Sequence, residues 1–454
     1  MTSLIDIDRL EAEVRSALER DDTDTLRALL AAAYPPDVAD VIDRLDDEDQ
    51  VRVFRLLELE QAADVLDETS VDATRELISE LSPAEAADIL EELDSDDAAA
   101  ILTEDVPERQ QALLAAMDPE EAADIRELLR YPPQSAGRLM NDLFVAVRPE
   151  QTAAQALDEL RAVVHDAAVI AYLYVLENGG RLSGTLSLRK LLVAPPTQLV
   201  GELMRPRPIT VAPETDQEEV ARIVSRYDLA AVPVVAPDGR MLGVVTADDV
   251  IDILVEEGTE DVLRFGGVER GKPDETYFTV PILRSVRRRI PWLLLLFVGG
   301  SITANVLGLF ESELEQMVAL TFYVPLLIGT GGNTGAQTVS TLIRALALGE
   351  VRLRDIWRVL WRELAAGVVL GLMLGTVALG RVLVDGQVDA LAATVALSVV
   401  AICTWANIIG ALVPMAARRL GVDPALVSAP MITTLVDASG LAIYLLIAGA
   451  LLRL

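Results

Sequence analysis

The chain has 454 residues, 71 acidic against 38 basic side chains, a formal net charge of −33, one Cys and one His. At roughly 100–200 residues per domain this length suggests two to four domains; one Cys excludes a disulfide framework, and one Cys with one His excludes a conventional zinc, haem or iron–sulfur centre within a single chain. The acidity argues against nucleic-acid binding, because phosphate contacts need Lys and Arg, and a 52% hydrophobic composition beside that charge means the two are segregated along the chain.

The segregation is steep: residues 1–130 carry 38 acidic and 11 basic side chains, and residues 281–454 carry 10 and 13. A 12-residue repeat runs through the first part. Counting from positions 39, 51, 63, 75, 87, 99, 111 and 123, the residue two places on is always apolar, from Val41 to Ile125. The next residue is apolar too, except at Arg126. Twelve residues at 3.6 per turn rotate a helical face by about 120°, so one continuous helix cannot use this period. Each unit is expected to be a separate short helix in an all-α solenoid over 1–130. Ser82, Pro83 and Glu85 read as a capping box with proline at the first helical position, and Asp118, Pro119 and Glu121 repeat the pattern. Asp46, Ser70 and Asp94 take the same cap position. Most of the remaining acid reads as a solvated or salt-adapted surface.

Residues 131–258 contain a longer duplication, with copies at about 138–195 and 200–258. Leu139-Met140 and Leu203-Met204 are 64 residues apart, as are Val147 and Val211. Each copy continues as strand, helix, apolar strand, turn (Gly179-Gly180 or Asp238-Gly239) and strand, and ends in GTLSLRKL or GVVTADDV. The second ending resembles that of a CBS motif, in which a Thr and an Asp three residues on hold a nucleotide ribose; Thr246 and Asp249 fit. In the first copy Ser187 fits but Lys190 replaces the acid. The reading is an α/β tandem CBS pair.

A connector at 259–280 leads to the membrane domain at 281–454. Ile290–Phe310, Gln316–Ile343, Leu364–Gly380, Ala390–Ala417 and Pro424–Leu452 are apolar. A helical crossing needs about 20 residues, and the shorter third stretch abuts Arg362 and Arg381, which can snorkel. Five crossings are expected. Arg284, Arg287, Arg288 and Arg289, then five arginines from Arg344 to Arg362, then Arg418 and Arg419 mark one side, and Glu311, Glu313, Glu315, Asp385 and Asp389 the other. This places the N-terminus in the cytoplasm and, with an odd number of spans, the C-terminus outside. The acidic, amphipathic N-terminus does not read as a signal peptide.

Asp437 is the sole ionisable residue between Asp423 and Arg453. A carboxylate near mid-bilayer costs roughly 2.5–3.5 kcal/mol on insertion scales. It reads either as bonded to a neighbouring backbone or hydroxyl group, or as an ion ligand on a conduction path. The second span contains Pro325 and the run PLLIGTGGNTGAQ. Such a run is expected to weaken the helix and free carbonyl groups along a cavity; the alternative is close helix packing through small residues. Carbonyls, amides and one carboxylate are oxygen chemistry suited to a hard cation such as Mg2+ or Ca2+.

A helical solenoid, a CBS pair, a connector and five spans with GGNTGAQ and a late membrane Asp together resemble the MgtE family of magnesium channels, over nearly the whole chain. The runs AGRLM, TDQEEVARI, VTADDV and VDPALVSAPMITTLVDASG carry the resemblance. It implies a multi-pass Mg2+ channel of the cell (inner) membrane, a homodimer with its pore between subunits. The pore would be lined by Pro325, Gly331, Gly332, Asn333, Gly335 and Gln337, with Asp437 binding a largely hydrated Mg2+. It also implies closure by cytosolic Mg2+ held at Asp216, Glu218, Asp228, Asp249, Asp252, Glu257, Glu260 and Asp261, with Asp96 in the solenoid and the Gly137 carbonyl. A plug helix is implied between about Val262 and Tyr277. ATP, if bound, would meet Tyr172 and Arg189 in addition to Thr246 and Asp249.

The chain departs from that pattern in places. Ala100 stands where sister repeats have Asp40, Asp64, Asp88 and Asp124, Val255 where an acid is common, and Lys190 puts nucleotide binding by the first CBS copy in doubt. The YPPQSAGRLM lead lacks the acids usual there. A coupled transporter exchanging a divalent cation for H+, or a membrane-anchored divalent sensor, are the competing readings. No nucleophile–base pair or metal–His constellation suggests an enzyme. His165 reads as a surface or packing residue, Cys403 as a small apolar one, and Trp357 and Trp361 as interface anchors.

Overall fold

The computed structural model describes residues 7–103, 105–163, 171–269, 271, 280–347 and 349–453. His165 and the stretch ending at Tyr277 therefore lie outside the described residues. The chain divides into two compact units, one built on Met1–Glu257 and the other on Gly258–Gly271 with the C-terminal helices.

The first unit begins with α1 (Ile7–Glu19) and α2 (Thr23–Ala32). The repeat then becomes α3 (Pro35–Arg44), α4 (Asp47–Phe54), α5 (Leu59–Glu68), α6 (Val71–Glu80), α7 (Pro83–Leu90), α8 (Ser95–Thr103), α9 (Pro107–Ala116) and α10 (Pro119–Leu128). These eight helices start every 12 residues, as the period requires. The paired apolar positions point inward: Val41 and Ile42, Val65 and Leu66, Leu77 and Ile78 are buried. Ser82 accepts from the Glu85 N–H at 3.3 Å and the Ser82 N–H donates to Glu85 Oε2 at 2.9 Å, a complete capping box. The second box does not form. Asp118 accepts from the Glu120 N–H, and its own N–H donates to Glu91 of an earlier repeat, which displaces Glu121. Ser70 likewise gives its hydroxyl proton to Asp43 rather than capping its helix.

The CBS pair follows: β1 (Ala146–Val147), α11 (Ala153–Val163), β2 (Tyr172–Glu177), β3 (Arg181–Ser187), α12 (Leu188–Leu192), α13 (Val200–Leu203), β4 (Arg205–Pro206), α14 (Gln217–Tyr227), β5 (Ala231–Val235), β6 (Met241–Thr246) and α15 (Ala247–Phe265). One sheet has the order β1-β2-β3-β4 with β1 parallel to β2, and β5 pairs antiparallel with β6. The duplication survives in the pairing: Val147 pairs in parallel with Val175, and Val211 in parallel with Val234. Gly179, Gly180 and Gly239 turn the hairpins at φ +89, +77 and +87. A single apolar core runs from the solenoid into the second copy, where Val220, Val224, Val245, Val250 and Ile253 belong to it. Arg138 of the AGRLM run is buried and donates to the Ala99 carbonyl at 2.8 Å, tying the pair to α8.

The second unit holds α16 (Ile282–Leu309), α17 (Glu311–Gln316), α18 (Ala319–Ala347), α19 (Ile356–Val384), α20 (Asp389–Arg419) and α21 (Ala429–Leu452). Ile282–Leu309, Leu353–Val384, Asp389–Arg419 and Ala429–Leu452 are long and apolar enough to cross a membrane. At 29 residues α18 is as long, but its GTGGNTGAQ run lowers its apolarity. Gly367, Gly371 and Gly375 let α19 press on α20: a Cβ at each would stand 2.7–2.9 Å from Thr404, Val400 or Ala396.

Candidate metal centre and ion path

The first site lies within the N-terminal unit, where solenoid acids meet the start of α15. Asp94, Asp96 and Asp97 sit at the N-terminus of α8 with ligand oxygens all within 4.8 Å of one another. Asp96 is 7% exposed, and its Oδ1 is buried with no hydrogen-bond partner. A buried acceptor left unpaired is costly, and an oxygen donor set of this kind fits a hard divalent cation. Asp67 and Glu68 at the end of α5 and Asp248, Asp249 and Asp252 on α15 act on the same cluster. Asp67 keeps solvent contact but is hemmed in by protein, which with the charges of Glu68, Asp249, Asp252 and Asp94 pushes its carboxyl up to about 6. Burial, then Asp96, Asp67, Asp249 and Asp94, push Asp97 up to about 9. Burial followed by Asp249 holds Asp96 well above the usual carboxylate range.

The second site is in the membrane unit. Asp437 is half-buried on α21 and makes no hydrogen bond or ion pair among the described residues. It faces α18 at Gly332, where a Cβ would stand 3.5 Å from Asp437 Oδ1 and 3.3 Å from Thr433 Cγ2. The expectation of a broken helix with freed carbonyls is overturned: α18 is continuous from Ala319 to Ala347. Its glycines serve packing instead. A Cβ at Gly331 would meet Ile402 at 2.5 Å, one at Gly335 would meet Ile432 at 2.9 Å, and Gly410 presses on the Gly335 carbonyl. Both glycines are buried among α20 and α21, so the helix gains in contact what its glycines lose in propensity. Pro325, Asn333 and Gln337 are exposed. Asp437 thus meets α18 at Gly332, Asn333 and Gln337 lie exposed on that helix, and α18 is not broken to free a row of carbonyls.

The profile of the divalent cation transporter family MgtE matches residues 324–447, that of the MgtE intracellular N domain 33–134, and that of the CBS domain 136–196 and 200–256. The magnesium transporter MgtE of Thermus thermophilus is 42% identical over 449 residues, 98% of this chain and 99% of the relative. The chain belongs to the MgtE family. The magnesium transporter MgtE of Bacillus subtilis is 37% identical over 330 residues, 72% of each chain. Among solved structures, the cytosolic domain of the Mg2+ channel MgtE in complex with ATP is similar with 40% identity and TM-score 0.52, covering 54% of this chain and 99% of that one.

The other acids that the MgtE resemblance singles out sit on or at the ends of α14 and α15. Asp216 caps α14 and accepts from the Glu218 N–H. Asp228 ends α14 in the left-handed region at φ 51, exposed. Glu257 accepts from the buried Gln217 at 2.6 Å. Glu260 is buried and paired with Arg264, and Asp261 is exposed on the same helix. Gly137 is closely packed, since a Cβ would meet Tyr131 at 2.7 Å. Asp96, Asp249 and Asp252 are members of the expected set that act on one cluster. The plug helix expected between about Val262 and Tyr277 falls largely outside the described residues. The described helix is α15, ended at Phe265 by Gly266 and Gly267, the latter at φ +71.

Of the expected nucleotide residues, Tyr172 lines a cavity whose lining does not include Arg189, Thr246 or Asp249. A cavity of about 330 Å³ lies in the solenoid, and another of about 230 Å³ in the CBS pair is lined by Tyr172, Tyr174, Ser187, Lys190, Arg205 and Pro233. Arg189 is exposed and outside that lining. Lys190 points its amino group at the Leu203 carbonyl. Thr246 gives both its N–H and its hydroxyl proton to Asp249, whose carboxylate belongs with the acid cluster.

Sequence reading missed Asp67, Glu68, Asp94, Asp97 and Asp248 as members of one cluster. It also missed Glu363, which accepts from the buried Asn407 of α20 through its backbone carbonyl and its carboxylate at 3.2 and 3.4 Å. An acid directly abutting an apolar run was the available signal.

The raised carboxyls have a pH consequence. Their contribution to the compact arrangement is present below the ordinary value of 3.8 and is lost as pH rises through about 6 for Asp67 and about 9 for Asp97. Without divalent ions, the melting midpoint of the N-terminal unit in the solubilised full chain should fall steadily from pH 5 to pH 9. Added Mg2+ should restore more at high pH, where it competes with fewer protons. A metal-free profile flat across that range, measured by scanning fluorimetry, would contradict it.

Proposed function

We propose that this chain carries Mg2+ across the cell membrane along a path lined by Asp437, and that cytosolic Mg2+ at the α5–α8–α15 acid cluster closes it. The observation that carries the reading is Asp437: a carboxylate without a partner among the described residues, within an apolar helix and opposite a glycine that leaves room beside it. The names of the relatives, magnesium transporters 42% and 37% identical to this chain, supply the ion and give no indication of an enzyme. Mg2+ gives up water reluctantly, so a single carboxylate with amide neighbours suits a hydrated ion. Counting α18, five helices cross, with the arginine-rich ends and the N-terminal unit in the cytoplasm and the C-terminus outside. A homodimer with the path between copies accounts for the outward-facing Asn333 and Gln337.

Asp94, Asp96 and Asp97, with Asp249 and Asp252, would hold the regulatory ion. The bound charge offsets their mutual repulsion and stabilises the compact form. ATP, known in the complex of the similar cytosolic domain, would enter the cavity beside Tyr172, with Lys190 in the place of a ribose-binding acid.

The test is ion flux in liposomes with Mg2+ on the cytosolic side varied. Flux that falls as that Mg2+ rises, with no stoichiometric H+ movement, is expected. Obligatory H+ counterflow would establish a coupled transporter instead, and absence of any flux a sensor.

A further inference from the structure

Within the membrane unit, one guanidinium holds the end of α15. The N–H groups of Gly266, Gly267 and Val268 donate to the Val262, Arg264 and Leu263 carbonyls at 3.1, 2.9 and 2.9 Å, closing the helix through the left-handed Gly267. That turn lies against α16: a Cβ at Gly267 would stand 2.1 Å from Trp292 Cδ1. Trp292 Nε1 donates to Ser428 Oγ at 2.9 Å, and Ser428 caps α21 by accepting from the Met431 N–H. One turn before Gly267, Arg264 Nη1 donates to Asp423 Oδ2 at 2.5 Å, and its other amino nitrogen pairs with Glu260. Glu260 is 5% exposed. The second oxygen of Asp423 accepts from the Ala425 N–H at 2.8 Å, at the turn that leads into α21 and so to Asp437.

We infer that Arg264 is a tethered cation that positions the end of α15 against the α20–α21 junction by bridging Glu260 and Asp423. The inference rests on the reading of α15 as part of the gate. Two carboxylates converge on one group, and without a cation between them they repel. The guanidinium suits this place because its planar fork can serve two acceptors at once. The bridge stabilises the docked end of α15, so closure needs less divalent ion than if Arg264 were absent. Because Arg264 and Asp423 are 35% and 38% exposed, monovalent salt screens the pair, and high salt should loosen the junction when Mg2+ is low.

Trp292 reports the junction directly. The full-length chain is used with Trp357, Trp361 and Trp405 replaced by Phe, leaving one of its four tryptophans. Iodide quenching of Trp292 is followed against Mg2+. Arg264→Gln should move the Mg2+ midpoint of protection about tenfold upward, a 1.4 kcal/mol effect by the usual conversion. Arg264→Lys, which keeps the charge without the fork, should move it less and guards against simple misfolding. Arg264→Gln and Asp423→Asn should be strongly non-additive, since each removes the same contact. An unmoved midpoint in Arg264→Gln, or an additive pair, overturns the inference while leaving the gate reading intact. A wild-type chain whose Trp292 ignores Mg2+ removes both, and flux measured alongside shows whether transport survives.

Discussion

Asp437→Ala is expected to reduce Mg2+ flux in liposomes by at least about 100-fold while the protein still inserts and folds. The helix around Asp437 does not depend on it. Its carboxylate accepts no hydrogen bond among the described residues, and the packing of α21 is carried by Ile432, Val436, Gly440 and Tyr444. What the carboxylate offers is charge. Two unit charges 4 Å apart at an effective dielectric constant of 20 interact by about 4 kcal/mol, and a divalent ion doubles this. Even if solvation of the ion cancels most of that, a remaining 2.8 kcal/mol is about 100-fold. Asp437→Asn separates charge from size, because it keeps the volume beside Gly332. It should behave like the alanine variant. Near-normal flux in Asp437→Asn, measured as Mg2+ entry by an internal dye, would show that the side chain lines the path without binding the ion. Widening the test to Gly332→Ala adds steric information. The new methyl group would stand 3.5 Å from the carboxylate, ordinary contact, but 3.3 Å from Thr433, so a modest loss of flux is expected there.

The second large effect concerns closure. Asp96→Asn, Asp97→Asn and Asp252→Asn combined should leave the path open at cytosolic Mg2+ concentrations that shut the wild type. Two effects oppose each other. Neutral amides relieve the repulsion that raises these carboxyls, so the metal-free form should melt higher than the wild type. They also remove the ligands, so the increment from Mg2+ should vanish. At ten times its dissociation constant, one bound ion contributes about 1.4 kcal/mol, and several such ions would decide the gate. The two effects are read separately: the melting midpoint without Mg2+ reports repulsion, and its change on adding Mg2+ reports the bridge. Loss of closure requires the bridge to outweigh the repulsion. A triple variant that is shut without any Mg2+ would mean that charge repulsion alone keeps the wild type open.

Local periodicity made much of this fold legible. The 12-residue spacing demanded separate short helices, and eight of them start at that interval. The Ser82–Glu85 box lies within four residues and forms as read, whereas the Asp118 box is displaced by Glu91, a residue 27 positions away. The 64-residue duplication and the long apolar segments are likewise properties of the chain itself, since burial of a repeated apolar pattern is dictated by period and length. The charge of Asp437 was equally visible, because an ionisable group inside an apolar run stands out without any knowledge of its neighbours.

Tertiary structure decided everything that depends on which distant groups approach. GGNTGAQ alone suggests a weakened helix, yet buried contacts of Gly331 and Gly335 with α20 and α21 override propensity and keep α18 intact. Asp249 could equally have faced a ribose; the shared core of the solenoid and second CBS copy instead turns it toward Asp94, Asp96 and Asp67. Those acids are separated along the chain by more than 150 residues from Asp249. The sequence determined the helices, the duplicated strands and the Asp437 carboxylate inside an apolar run, because these follow from short-range pattern and transfer energy. It left open which of 71 acids form one cluster, because Coulomb energy depends on separation in space, and only the packed fold sets that.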